Sequence, residues 1–153
     1  LVLIIENVEK PGNLGAIIRS CDGAGVDAVF VCDGKTEIYN QHVVRASIGA
    51  VFTVAIISAG KEDVREFCKK RGIKIFVSSA KAQKNYYDED FTKGSAIVVG
   101  NEHEGVSSYW QDTTDVFIRI PMQGVSQCLN VTVSASILIY EALRQRKLHL
   151  ISF

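Results

Sequence analysis

The apolar positions fall into short unbroken runs separated by stretches with helical spacing. Leu1–Ile5, Asp27–Cys32, Val51–Ile57, Lys74–Ser79, Ser95–Val99 and Thr114–Ile120 are rich in branched residues, as buried strands of a parallel sheet are. Between them, apolar residues recur every three or four positions. Leu14–Ala24 carries a stripe of Ile17, Ile18 and Cys21 behind Asn13 as its expected N-cap. Lys61–Arg71 turns Val64, Phe67 and Cys68 to one side and stops at Gly72. Tyr39–Ser47 and Val106–Gln111 read as short helices, and Lys81–Gly94 as a polar loop with a helical turn. The last helix, Asn130 to about Lys147, is apolar nearly all round. Strands and helices alternating at these lengths predict one doubly wound α/β domain, a mostly parallel sheet with helices on both faces.

Three polar, glycine-bearing stretches follow strands: Glu9–Arg19, Ile97–Ser107 and Ile118–Ala135. In the third, Pro121 ends the strand because proline cannot donate to a ladder, and Gly124 permits a tight turn. Open α/β sheets collect ligands at the carboxyl ends of their strands, so these loops are the candidate site. The plainer alternative is that glycine and asparagine here only serve turns and helix starts.

The stretches contain, in order, N-x-G-A-x-x-R (Asn13–Arg19), G-x-E-x-x-G (Gly100–Gly105) and I-P-M-x-G-(x)4-L-N-V (Ile120–Val131). Together they resemble the signature of the SpoU/TrmH family of RNA methyltransferases, in the SPOUT superfamily, over essentially the whole chain. The resemblance implies a C-terminal deep trefoil knot, a homodimer, and methylation of a ribose 2′-hydroxyl in rRNA or tRNA with S-adenosylmethionine as cofactor. It assigns catalytic positions to Arg19, Asn13, Glu102 and Asn130. The cofactor pocket would fall on Gly100, Ile120 and Leu129, with Met122, Gly105 and Ser79 nearby. Substrate would meet Arg19, Cys128 and Asn130. Position 128 departs from the family's usual pattern, serine before L-N-V; a thiol is a weaker hydrogen-bond donor.

Composition narrows the alternatives. The 153 residues hold 17 basic and 17 acidic side chains, so no overall basic surface announces a nucleic-acid partner. RNA contact would rest on local clusters such as Lys69-Lys70-Arg71, Lys81 with Lys84, or Arg144, Arg146 and Lys147, on Tyr86 and Tyr87 as stacking surfaces, or on a partner subunit or further domain. Each cluster also reads as an ordinary solvated helix end. The four cysteines lack metal-ligand spacing, so reduced thiols and no metal site are expected. No apolar run would span a membrane, and a cytoplasmic setting is expected. The chain opens inside a strand pattern without an initiator Met, so an upstream RNA-binding domain is expected to be missing. P-G-N-L-G-A is not the dinucleotide fingerprint G-x-G-x-x-G. A non-catalytic RNA-binding relative stays open, as does a base methyltransferase with His103 as its acid–base group.

Overall fold

The computed structural model describes residues 1–101, 103–114 and 116–151, the last four by backbone alone. Among the described residues seven strands form one sheet: β1 (Val2–Glu6), β2 (Ala28–Cys32), β3 (Ile56–Ser58), β4 (Lys74–Ser78), β5 (Lys84–Asn85), β6 (Ser95–Val99) and β7 (Phe117–Arg119). Their order is β3-β2-β1-β6-β4-β7-β5, and every pairing is parallel. Among the described residues five α-helices pack on it, four between strands and the last after them: α1 (Pro11–Ala24), α2 (Gln41–Ser47), α3 (Lys61–Lys70), α4 (Ser108–Thr113) and α5 (Val131–Ile151).

The unbroken apolar runs are explained by cover on both faces. Leu3 and Ile5 of β1 join Val29, Val31, Ile97 and Val99 in a core with Ile17, Ile18 and Leu138 of α1 and α5. Val2 and Ile4 point the other way, into a second core with Phe30, Val98, Val64 and Cys68 of α3, and Trp110 of α4. Alternate residues of one strand thus serve opposite layers.

Several local expectations change. The first helix starts at Pro11, with Lys10 as its N-cap, so Asn13 lies inside the first turn and does not cap it. Proline is preorganised for the first helical position and needs no N–H there. The expected strand over Val51–Ile57 begins as a 3-10 turn, Ala50–Phe52, and only Ile56–Ser58 pairs. Ile48 and Gly49 both take positive φ, 52° and 80°, which redirects the chain before it can extend. Within Lys81–Gly94 two residues form an edge strand on β7.

Gly15 decides how α1 meets α2: a Cβ there would lie 2.6 Å from the Ala46 Cβ and 2.7 Å from the Val43 carbonyl oxygen. The motif glycine is therefore a close-approach residue. On α5, Val131, Ala135, Leu138, Ile139 and Ala142 are buried, whereas Val133 and Tyr140 are 46% and 47% exposed. The apolar surface of this helix exceeds what its own chain covers. Among the described residues no helix is long and apolar enough to cross a membrane.

Candidate functional site

Three segments meet at the carboxyl ends of the central strands. They are Ser78–Lys81 at the end of β4, Val99–Asn101 with His103–Val106 at the end of β6, and Gln127–Leu129 with the first turn of α5; they enclose a cleft of about 330 Å3. Neighbouring strands β4 and β6 end side by side, and the long connection from β7 to α5 closes the third side. Crossovers from parallel strands leave just such a crevice beyond the sheet edge.

The wall after β6 is a tight loop. Asn101 and Gly105 exchange backbone hydrogen bonds of 3.1 and 2.8 Å, and the Asn101 side chain accepts from the His103 N–H at 2.8 Å. Gly100 lies flat against the far side of this loop: a Cβ there would overlap the Gly105 carbonyl and sit 2.6 Å from the Val106 nitrogen. Gly105 has φ of 70°, which favours glycine.

The opposite wall is fixed by Asn130. Its side-chain oxygen accepts from the Thr132 N–H at 2.8 Å, capping α5, and its Nδ2 donates to the Asn13 Oδ1 at 3.4 Å. The Thr132 hydroxyl adds a 3.4 Å bond to the Asn13 carbonyl, and Ser20 and Ser136 share a 2.9 Å hydrogen bond further along the same pair of helices. The first motif is thereby docked on the third.

Of the residues expected at the cofactor pocket, Ser79, Gly100, Gly105 and Leu129 line the cleft, and Cys128 joins them with an exposed thiol. Ile120 and Met122 are half-buried and lie outside the lining, Ile120 against the α1–α5 core. Glu102 falls outside the described residues. Arg19 is exposed and forms no ion pair or hydrogen bond among the described residues. It sits six positions beyond Asn13, roughly 9 Å along the helix and a third of a turn away from it in direction. The structure joins Asn13 to Asn130 and leaves Arg19 on a different side of α1.

The basic clusters are largely engaged in structural roles. Lys70 pairs with Glu66, Lys84 with Glu89 and Arg144 with Glu141. Arg146 donates to the carbonyls of Phe91 and Lys93. Lys81 remains at the cleft, and His42 and Arg45 border a shallow hollow beside Pro11 and Gly12. Burial pushes the thiols of Cys21 and Cys32 up to about 12 and that of Cys68 to about 11, which leaves them inert as nucleophiles. Among the described residues no group of three or more His, Cys, Asp or Glu side chains could hold a metal ion.

Glu6 lies outside all three motifs. It ends the first apolar run, and a carboxylate in the last position of a strand covered on both faces was the available signal.

Residues 1–140 match the model of the SpoU rRNA Methylase family. Over 139 residues the chain is 33% identical to the 23S rRNA (guanosine(2553)-2′-O)-methyltransferase RlmP of Bacillus subtilis (strain 168), covering 91% of this chain and 56% of that protein. A crystal structure of an RNA 2′-O ribose methyltransferase superposes with a TM-score of 0.89 at 41% identity, over 96% of this chain and 57% of the other. The SpoU methyltransferase AviRb from Streptomyces viridochromogenes, in complex with the cofactor AdoMet, gives a TM-score of 0.90 at 29% identity, over 96% of this chain and 60% of that one. The chain thus spans little more than half the length of these relatives.

Proposed function

The chain belongs to the SpoU rRNA methylase family, and on that footing we propose that it methylates a ribose 2′-hydroxyl of rRNA or tRNA with S-adenosylmethionine. The observation that carries this reading is the cleft at the strand ends. Two of its walls are the second and third sequence motifs, and the first motif is hydrogen-bonded to the third. Its size lies at the lower end of the range for small-molecule pockets. Its lining suits a nucleoside: Val99, Val106, Leu129 and Val131 offer apolar faces, and the loop backbones offer donors and acceptors for a base edge. The flat bed at Gly100, which a Cβ would fill, supports close approach of a ligand to backbone.

Bound there, S-adenosylmethionine supplies an already activated methyl group, so the protein's contribution is chiefly alignment. Asn13 and Asn130, fixed to one another, orient the ribose. Arg19, on a different side of α1 from Asn13, reaches this ribose from a second copy of the chain, where it holds the flanking phosphate and stabilises the developing alkoxide; a guanidinium does not deprotonate, so it is not the base. The departing proton passes to the phosphate. The family resemblance gives Glu102 the role of steadying Arg19 or a loop that binds RNA, and Cys128 stands at the substrate side of the cleft. Ile120 and Met122 belong to the segment that folds over the cofactor.

A homodimer is part of the proposal. Val133 and Tyr140 expose apolar surface on α5, and the Tyr140 hydroxyl lies 3.0 Å from the Cβ position of Gly23, one turn beyond Arg19 on α1. A second copy covering this strip would also approach Arg19, and sedimentation across a concentration series tests for it. The deep C-terminal knot and a cytoplasmic setting complete the reading.

The deciding experiment is calorimetric titration of the protein with S-adenosylmethionine, beside Leu129→Trp, which fills the cleft. Binding to the wild type that falls by about 2–3 kcal/mol or more in the folded tryptophan variant supports the proposal. A folded wild-type protein that binds no cofactor overturns it.

A further inference from the structure

Glu6 is the one charged side chain in the core among the described residues, 2% exposed. Its carboxylate accepts two bonds from one residue: the Ser107 N–H at 2.7 Å on Oε2 and the Ser107 hydroxyl at 2.6 Å on Oε1. The Lys61 ammonium stands 3.7 Å from Oε1 and 3.1 Å from Asp33, so it balances charge without being the main partner. The next residue, Asn7, takes φ of 53° and donates its N–H to the Cys32 carbonyl at 3.0 Å. That turn presents the Asn7 carbonyl to the Asn101 side-chain amide at 3.2 Å.

Two consecutive residues at the end of β1 therefore hold both ends of the loop that walls the cleft, Asn101 at its entry and Ser107 at its exit. Helix α4 behind Ser107 has six residues, too few to organise its own start. A buried carboxylate is an expensive way to gain stability, since apolar groups of equal size often do as well or better. What it offers is two acceptors in fixed relation, which a hydrocarbon lacks.

We propose that Glu6 is a positioning residue of the cofactor cleft. Its carboxylate pins Ser107, and so keeps the Gly105–Val106 backbone against Gly100 in the form that receives the adenosyl ligand. This rests on the reading of the cleft as the S-adenosylmethionine site. Glu6 touches no substrate; it acts through the loop, as supporting groups behind a binding surface do.

The test compares Glu6→Leu with Glu6→Gln. Leucine cannot accept either bond, whereas glutamine can accept from the Ser107 N–H and donate to its hydroxyl. Glu6→Leu is expected to speed amide exchange at Gly105 and Ser107 by about tenfold or more and to raise the S-adenosylmethionine Kd by a similar factor. Turnover at saturating cofactor stays within about twofold, giving a KM effect without a kcat effect. Glu6→Gln recovers both quantities to within about threefold, and exchange in the core of α1, at Ile17 and Ile18, is unchanged in either variant. Unaltered loop exchange in Glu6→Leu overturns the proposal. So does exchange that rises equally in the loop and in α1, because Glu6 would then be a general stabiliser. Should Glu6→Leu fail to fold, Ser107→Ala removes only the hydroxyl bond and must loosen the loop alone; no change there overturns the proposal. A wild-type protein that binds no cofactor defeats the functional reading, while the exchange measurements still judge Glu6.

Discussion

Asn130 donates its amide to Asn13 across 117 positions of sequence, and with its other side-chain atom caps α5. One side chain thus carries a stabilising bond and a bond between two motifs, and substitution can separate them. Asn130→Asp keeps the capping oxygen and loses the donor; Asn130→Ala loses both. The alanine variant should be about 1 kcal/mol less stable, a fall in Tm of about 2–4 °C, and the aspartate variant close to wild type. Both should lose methyl transfer by about tenfold or more. Thermal unfolding beside a 2′-O-methylation assay reads the two effects; an aspartate variant with full activity would show the bond to Asn13 to be incidental.

Gly100→Ala forces a Cβ into the Gly105 carbonyl and against the Val106 nitrogen at 2.6 Å, with backbone on the other side of the clash. Overpacking of this kind costs about 1–3 kcal/mol and should abolish cofactor binding. Gly12→Ala meets nothing within 4 Å and sits in the first turn of α1, so it should be neutral or slightly stabilising. Denaturant unfolding of the pair checks both signs.

Of the four cysteines only Cys128 is exposed, and it lines the cleft. A thiol reagent at pH 8 should modify one group in the native protein and all four after unfolding, because burial raises the other three thiols to about 11 or 12. Saturating S-adenosylmethionine should slow the native reaction. A second fast thiol would contradict the packing around Cys21, Cys32 or Cys68.

Glu89 lies beneath Lys74 and Lys84 at 3.2 and 3.0 Å. Burial works to raise its pKa, but the hydrogen bonds from Lys84 and Lys74 outweigh it and hold the carboxyl below its ordinary value. A carboxyl depressed in the folded state contributes stability that is present above its unfolded pKa and lost as pH falls through the folded one. Wild type should therefore exceed Glu89→Gln in urea midpoint at pH 7, and the gap should close below the ordinary carboxylate range. Glu141, lowered by its bond to Arg144, adds the same slope to both proteins and cancels in the difference.

The layered sheet was legible because branched runs and helical stripes have different periods: Ser95–Val99 forms the strand its pattern predicts. The stretch Val51–Ile57 misled, since apolar content says nothing of the positive φ at Ile48 that sends residues 50–52 into a turn. A two-residue edge strand such as Lys84–Asn85 carries no periodicity at all. At the site, the loops after β6 and β7 were legible from motif spacing, the end of β4 only from the rule that ligands gather at strand ends, and four of six expected cofactor residues line the cleft. The separation of Arg19 from Asn13 was readable in principle: six positions is not a multiple of the helical repeat. Glu6 was hidden because its partner lies 101 positions away.

Helix α5 touches the cleft at one end and, near the other, straps the segment before β6. Gln145 accepts from the Phe91 N–H at 2.8 Å and donates to the Glu89 carbonyl at 3.1 Å, while Arg146 reaches the Phe91 carbonyl at 2.9 Å. All seven strands of the described residues precede this helix in the chain. During synthesis every one of these strands therefore emerges before the last wall of the cleft, and that wall, with the core positions Leu138 and Ile139, is in place only when the final helix has emerged and docked. A nascent chain halted before Val131 would carry the sequence of these strands yet lack the turn of α5 that lines the cleft, and is expected not to bind S-adenosylmethionine.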